Sequence, residues 1–142
     1  MSTPEPLVPD PSKPQPSTHD PAPAARLAAL EARRAAALAG AGPEADAKQH
    51  ARGKLTARER VARLLDPGSF VELDRYRVHR STEFGLADKR IPGDGVVTGH
   101  GLIDGRTVYV FAHDFGVFGG SLGEVYAEKI CKVQDAAYRD GA

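Results

Sequence analysis

Two runs of β-branched and aromatic residues separated by Asp104-Gly105 constrain this chain more than any other feature. A two-residue type I′ turn needs positive φ at both central positions, and Asp-Gly tolerates that well. Val96 to Ile103 and Thr107 to Phe111 are therefore predicted to form a hairpin whose register follows from the turn. Ile103 should face Arg106, Gly101 Val108, Gly99 Val110 and Val97 Ala112. Val96, Thr98, His100 and Leu102 take the other face with Thr107, Tyr109, Phe111 and His113. Neither face is freely polar, so the ribbon is expected between layers, with Gly99 and Gly101 admitting another backbone closely.

Beyond the hairpin, Phe115-Gly-Val-Phe-Gly-Gly-Ser-Leu-Gly-Glu124 reads as a glycine turn entering a helix. Ser121 and Glu124 have capping-box spacing, which predicts a helix starting at Ser121. Leu122, Tyr126, Ile130, Val133 and Ala137 give it one apolar stripe, and Gly141 is a plausible terminator. The first-turn N–H groups of such a helix lack intrahelical partners. With Gly119 and Gly120 they could form a donor-rich cup for a phosphate or for a carbonyl oxygen gaining charge.

Upstream, residues 1–23 are so rich in proline that a disordered tail is expected, leaving 24–142 to fold. Ala24 to Ala39 predicts an alanine-rich helix with Leu27, Leu30 and Leu38 on a weak stripe, and Glu44 to Ala51 a shorter polar one. Thr56 and Glu59 make a second capping box, with Val61, Leu64 and Leu65 apolar behind it. Asp66-Pro67-Gly68 turns the chain toward a strand around Phe70 to Leu73. From Leu73 to Ile91 the pattern is irregular and reads as loop, with a possible strand at Tyr76 to His79.

Lysine plus arginine and aspartate plus glutamate both number 19, which argues against bulk attraction to nucleic acid or membrane. No apolar run approaches the roughly 20 residues a spanning helix needs. The N-terminus lacks a secretory signal pattern, so a bacterial cytoplasmic location is the expectation. Cys131, the sole cysteine, reads as a filler beside the stripe of the last helix. The five histidines have no metal-ligand spacing, so no metal is expected. Gly119-Gly-Ser-Leu-Gly123 satisfies the nucleophile-elbow pattern, but Asp114 to Phe118 separate it from its strand and no histidine follows it. Nor does the glycine spacing from Gly116 to Gly123 fit a dinucleotide fingerprint.

Gly-Lys-Leu-Thr-Ala-Arg-Glu-Arg (53 to 60), Leu-Leu-Asp-Pro-Gly-Ser-Phe-Val-Glu (64 to 72), Ile-Pro-Gly-Asp-Gly-Val-Val-Thr-Gly (91 to 99) and Phe-Gly-Gly-Ser-Leu-Gly-Glu (118 to 124) occur in that order. From Lys48 to Ala142 the chain resembles the start of the carboxyltransferase β subunit of biotin-dependent acyl-CoA carboxylases, the propionyl-CoA carboxylase type. The resemblance implies an α/β, crotonase-like partial domain in which N-terminal helices precede a ββα unit. It implies transfer of a carboxyl group from carboxybiotin, borne by the biotin carboxylase/biotin carrier (α) subunit, to the α-carbon of an acyl-CoA such as propionyl- or acetyl-CoA.

Family members run several times longer. The chain is thus expected to be an N-terminal portion, inactive alone, of a subunit that is homo-oligomeric at full length. A biotin-dependent decarboxylase subunit and a non-catalytic binding fragment stay open as alternatives. Under the resemblance, backbone amides of Gly119, Gly120, Ser121 and Leu122 are candidates for an oxyanion hole at the thioester. Lys48, Arg52, Lys54, Arg58, Arg60 and Arg63 form a basic stretch opposed only by Glu59. Arg52 and Lys54, in the loop before the helix, are the candidates for coenzyme A phosphates.

Overall fold

The computed structural model of this chain describes residues 22–142, so the expected disordered tail lies outside the described residues except for Ala22 and Pro23. Helices α1 (Pro23–Ala39), α2 (Pro43–Ala51) and α3 (Ala57–Leu64) precede strands β1 (Val71–Leu73), β2 (Val96–Ile103) and β3 (Arg106–His113). A 3-10 turn, Phe118–Gly120, leads into α4 (Glu124–Asp140). Proline occupies the first position of α1 and α2, where its missing N–H costs nothing.

The hairpin forms as its turn chemistry dictates. Asp104 and Gly105 take φ of 50° and 76°, and β2 pairs with β3 from Val96↔His113 to Ile103↔Arg106 in the expected register. Strand β3 runs two residues further than expected, because pairing with β2 continues to His113. Asp66 fixes the turn from outside, its carboxylate accepting the N–H groups of Asp104 at 3.1 Å and Gly105 at 2.9 Å. On the other side of β2 lies β1, antiparallel, with Glu72 opposite Gly99. A Cβ on Gly99 would stand 2.3 Å from the Val71 carbonyl oxygen, and one on Gly101 2.7 Å from the Leu65 side chain. Gly99 is therefore required by the close approach of the β1 backbone, whereas Gly101 faces the movable end of Leu65.

The sheet lies between α3 and α4. Ala57, Val61 and Leu65 pack with Val97 on one face, where Phe70, Ile103, Val108, Val110 and Ala112 join them. Val96 and Thr98, on the opposite face, are buried along with Val125, Tyr126, Lys129 and Val133 of α4. The Thr56–Glu59 capping box of α3 forms in both directions. Arg58, projecting from α3, donates to both oxygens of Glu72 at 2.9 Å and to the Ala37 carbonyl at 2.8 Å, joining α1 and β1 to α3. Burial works against the Glu72 carboxylate, but Arg58 and Arg75 together hold its pKa below the ordinary value.

Three expectations are corrected. Tyr76 to His79 is not a strand: the Arg77 N–H donates to Asp74 and its carbonyl accepts from Gly93, which commits the backbone to turns. Ser121 does not cap α4, whose N-cap is Gly123; Ser121 is extended, with φ −62° and ψ 134°. Leu122 consequently lies outside the helix and is 68% exposed rather than part of its buried stripe.

Candidate functional site

A cleft of about 600 Å³ opens between the α2–α3 connection and the segment that leaves β3. Arg52, Lys54, Leu55 and Thr56 line one side, and His113, Asp114, Phe115 and Gly119 the other, with Arg60 reaching across. The fold builds these walls separately. Arg52 caps the C-terminus of α2, its N–H donating to Gln49, and Gly53, donating to His50, takes φ 68° to turn the chain toward Thr56. Opposite, Asp114 accepts the Gly116 N–H at 2.9 Å, while Gly116 packs so tightly on Ala41 that a Cβ would stand 2.8 Å from that methyl. Arg60 spans the two sides by donating to the His113 carbonyl at 2.6 Å.

The charges near this cleft divide into engaged and free. Arg58 belongs to Glu72, an acid the basic stretch alone does not reveal, and Arg60 to His113. Glu59 is also occupied: His50 lies 2.9 Å from it, and the Thr56 N–H donates to it at 2.7 Å. Those contacts hold Glu59 below its ordinary pKa, the His50 hydrogen bond foremost, and Glu59 raises His50 in turn. Arg52 and Lys54 are exposed and engage no acid among the described residues, leaving two cations on the rim beside the apolar walls of Leu55 and Phe115.

The four candidate amides are distributed unequally. Phe118, Gly119 and Gly120 all have positive φ, at 46°, 65° and 79°. Gly120 donates its N–H to the Val117 carbonyl at 2.9 Å and Ser121 donates to Phe118 at 3.2 Å, so both hold the turn together. The N–H groups of Gly119 and Leu122 make no such bond among the described residues. Gly119 lines the cleft with Arg52 and Lys54, whereas Gly120 is pressed against Phe115, where a Cβ would lie 2.7 Å from the ring.

Sequence reasoning placed Arg60 only within the basic stretch, not among the preferred candidates, and missed His113, Asp114 and Phe115. Arg60 sits one turn beyond the Thr56 cap, on the side from which the connection enters, and that spacing was the available signal. A more open hollow of about 720 Å³ lies over Phe70 to Arg77, but its charged groups Glu72, Asp74, Arg75 and Arg77 are all held in ion pairs. Among the described residues no group of three or more His, Cys, Asp or Glu could hold a metal ion, and no helix is long and apolar enough to cross a membrane.

Residues 48–142 match the carboxyl transferase domain family. The propionyl-CoA carboxylase beta chain of Cereibacter sphaeroides is 60% identical over 116 residues, which cover 82% of this chain and 23% of that protein. The biotin-dependent acetyl-/propionyl-coenzyme A carboxylase beta5 subunit of Mycobacterium tuberculosis is 59% identical over 118 residues, 83% of this chain and 22% of the relative. Among solved structures, transcarboxylase 12S, with methylmalonyl-coenzyme A and methylmalonic acid bound in a hexamer assembly, superposes with a TM-score of 0.81 at 43% identity. That superposition covers 86% of this chain and 24% of the solved one, so the chain spans about a quarter of the length of the proteins it matches. The fold is that of a partial crotonase-like α/β domain. Residues 48–142 resemble about a quarter of the length of propionyl-CoA carboxylase beta chains, and the chain belongs to the carboxyl transferase domain family.

Proposed function

We propose that the chain supplies one wall of an acyl-CoA site in a subunit that transfers a carboxyl group from carboxybiotin to the α-carbon of propionyl- or acetyl-CoA. The observation that carries this reading is the convergence on one cleft of two cations, Arg52 and Lys54, and the amide of Gly119, none of which has a partner among the described residues. Coenzyme A presents phosphates to the cations and an apolar arm to Leu55 and Phe115. Removing an α-proton from the thioester leaves an enolate oxygen, which an N–H donor at Gly119 or Leu122 would stabilise as its charge develops. Gly120 and Ser121 would have to surrender a turn hydrogen bond to do the same.

The carboxyl group comes from biotin carried by a partner, the biotin carboxylase/carrier subunit, and no residue of this chain is assigned to that side. The full subunit works as a homo-oligomer in the bacterial cytoplasm under this reading, and the 142-residue chain alone does not turn over. Calorimetric titration with coenzyme A tests the site. Each exposed cation contributes about 1 kcal/mol to a phosphate contact, so Arg52→Ala with Lys54→Ala should weaken binding roughly 30-fold. Arg63→Ala, a control outside the cleft, should leave it unchanged. Equal effects of both substitutions, or none, would contradict the placement of the phosphates.

A further inference from the structure

Arg52 and Lys54 stand on a connection that is closed twice. Its backbone closes on the end of α2: the N–H groups of Arg52 and Lys54 donate to the Gln49 carbonyl at 3.0 and 3.1 Å, and that of Gly53 donates to the His50 carbonyl at 2.8 Å. Its two ends then meet on one side chain of α3. Oε2 of Glu59 accepts the Thr56 N–H at 2.7 Å and lies 2.9 Å from Nε2 of His50, with Oε1 3.1 Å from the same nitrogen. The capping box accounts for the Thr56 contact alone. The contact with His50 joins the last turn of α2 to the first turn of α3, across residues 51–55.

The hydrogen on His50 follows from its partner. A carboxylate only accepts, so Nε2 bears a hydrogen in the neutral and the charged ring alike, and the second proton enters at Nδ1. The bond to Glu59 therefore persists through titration and becomes an ion pair when the ring is charged. Glu59 favours that charged ring, by its hydrogen bond first and by its charge next; burial opposes it, and Asp46, one turn earlier on α2, adds to it. On Glu59 the acting groups are His50 and Thr56.

We propose that Glu59 is a positioning residue of the cleft: by holding His50 and the Thr56 N–H together it fixes the connection that presents Arg52 and Lys54 to the phosphates of one coenzyme A, and the grip tightens when His50 takes up a proton. Coenzyme A carries a pyrophosphate and a 3′-phosphate. Two cations on a fixed base lose less freedom in gripping them than two on a loose one.

The inference rests on the reading of the cleft as an acyl-CoA site, and two substitutions separate positioning from plain charge. Glu59→Gln keeps an oxygen for the Thr56 N–H, and so the capping box, but removes the charge that holds His50. His50→Gln keeps a donor for Glu59 and removes the charge from the other side. By charge alone, coenzyme A binds the first variant more tightly and the second more weakly than the parent. If Glu59 positions the connection, both bind about threefold more weakly by calorimetry at pH 6, where the raised His50 pKa leaves the parent's ring charged, and the loss in Glu59→Gln vanishes by pH 9. Without ligand, the NMR amide signals of Lys54 and Leu55 in the labelled 142-residue chain should follow the His50 midpoint in the parent and cease to follow it in Glu59→Gln, although His50 still titrates there, at a lower midpoint. Binding by Glu59→Gln as tight as the parent's or tighter at pH 6, or amides that still follow His50 in that variant, would overturn the proposal. A parent that binds no coenzyme A would overturn the reading of the cleft and the grip on phosphates with it, while the amides still decide whether Glu59 fixes the connection.

Discussion

Lys129 permits a prediction whose size follows from its surroundings. Its side chain is fully buried beneath the Gly93–Val96 turn, and burial brings the ammonium pKa down from 10.5 to about 8. The unfolded chain, with the ordinary pKa, binds more protons than the folded chain between those values, so stability rises with pH across that window. Below about pH 8 the full cost of burying the charge is present. Lowering the pKa from 10.5 to about 8 corresponds to about 3 kcal/mol, of which about 2.5 kcal/mol is recovered by pH 10.

Lys129→Met keeps the length of the side chain, cannot titrate, and leaves the Gly93 and Val96 carbonyls without their donor. At pH 7 its loss of two hydrogen bonds is partly offset by relief of the buried charge; at pH 10 it is not. Urea unfolding of both proteins at the two pH values gives the comparison, and taking the difference between them removes the contribution of Tyr109 and Tyr126. The destabilisation caused by the substitution should grow by about 2.5 kcal/mol from pH 7 to pH 10. A difference independent of pH would refute the buried-ammonium argument and with it the Lys129 link between α4 and the turn.

Other substitutions discriminate between local motifs and real contacts. Thr56→Ala should cost about 1 kcal/mol because its capping box forms, whereas Ser121→Ala should fall within about 0.5 kcal/mol of the parent, both read from urea midpoints. Gly99→Ala drives a methyl toward the Val71 carbonyl and the Phe70 ring and should cost about 3 kcal/mol. Gly105→Ala, at φ 76° with nothing near, should cost only about 1 kcal/mol. Equal effects at the two glycines would argue against the close approach of β1.

What the sequence made legible was local. Asp104-Gly105 specified its turn and, through it, every pair from Val96 to His113, because hairpin register depends on neighbours in the chain. Thr56 and Ser121 present the same spacing to Glu59 and Glu124, yet only Thr56 caps. The difference is that Ser121 lies two residues before Gly123, the N-cap residue at which α4 begins, and α4 has no side-chain cap. Lys129 stands three residues after Tyr126 and four before Val133, on the buried side of α4, and a lysine there could have signalled a buried donor. The cleft was only half legible. Arg52 and Lys54 stood out because they lie in the loop before the third helix, within the stretch that resembles the family, but Arg60 and the His113 carbonyl are 53 positions apart and only the fold joins them.

The claim that the cleft receives an acyl-CoA is tested most directly by mapping propionyl-CoA onto the labelled chain through its amide and side-chain NMR signals. The account predicts saturable shifts at Arg52, Lys54, Phe115 and Gly119, with Gly101 and the Asp104-Gly105 turn unmoved. Shifts confined to the hollow over Phe70 to Arg77, or none at ligand concentrations that saturate the calorimetric signal, would contradict it.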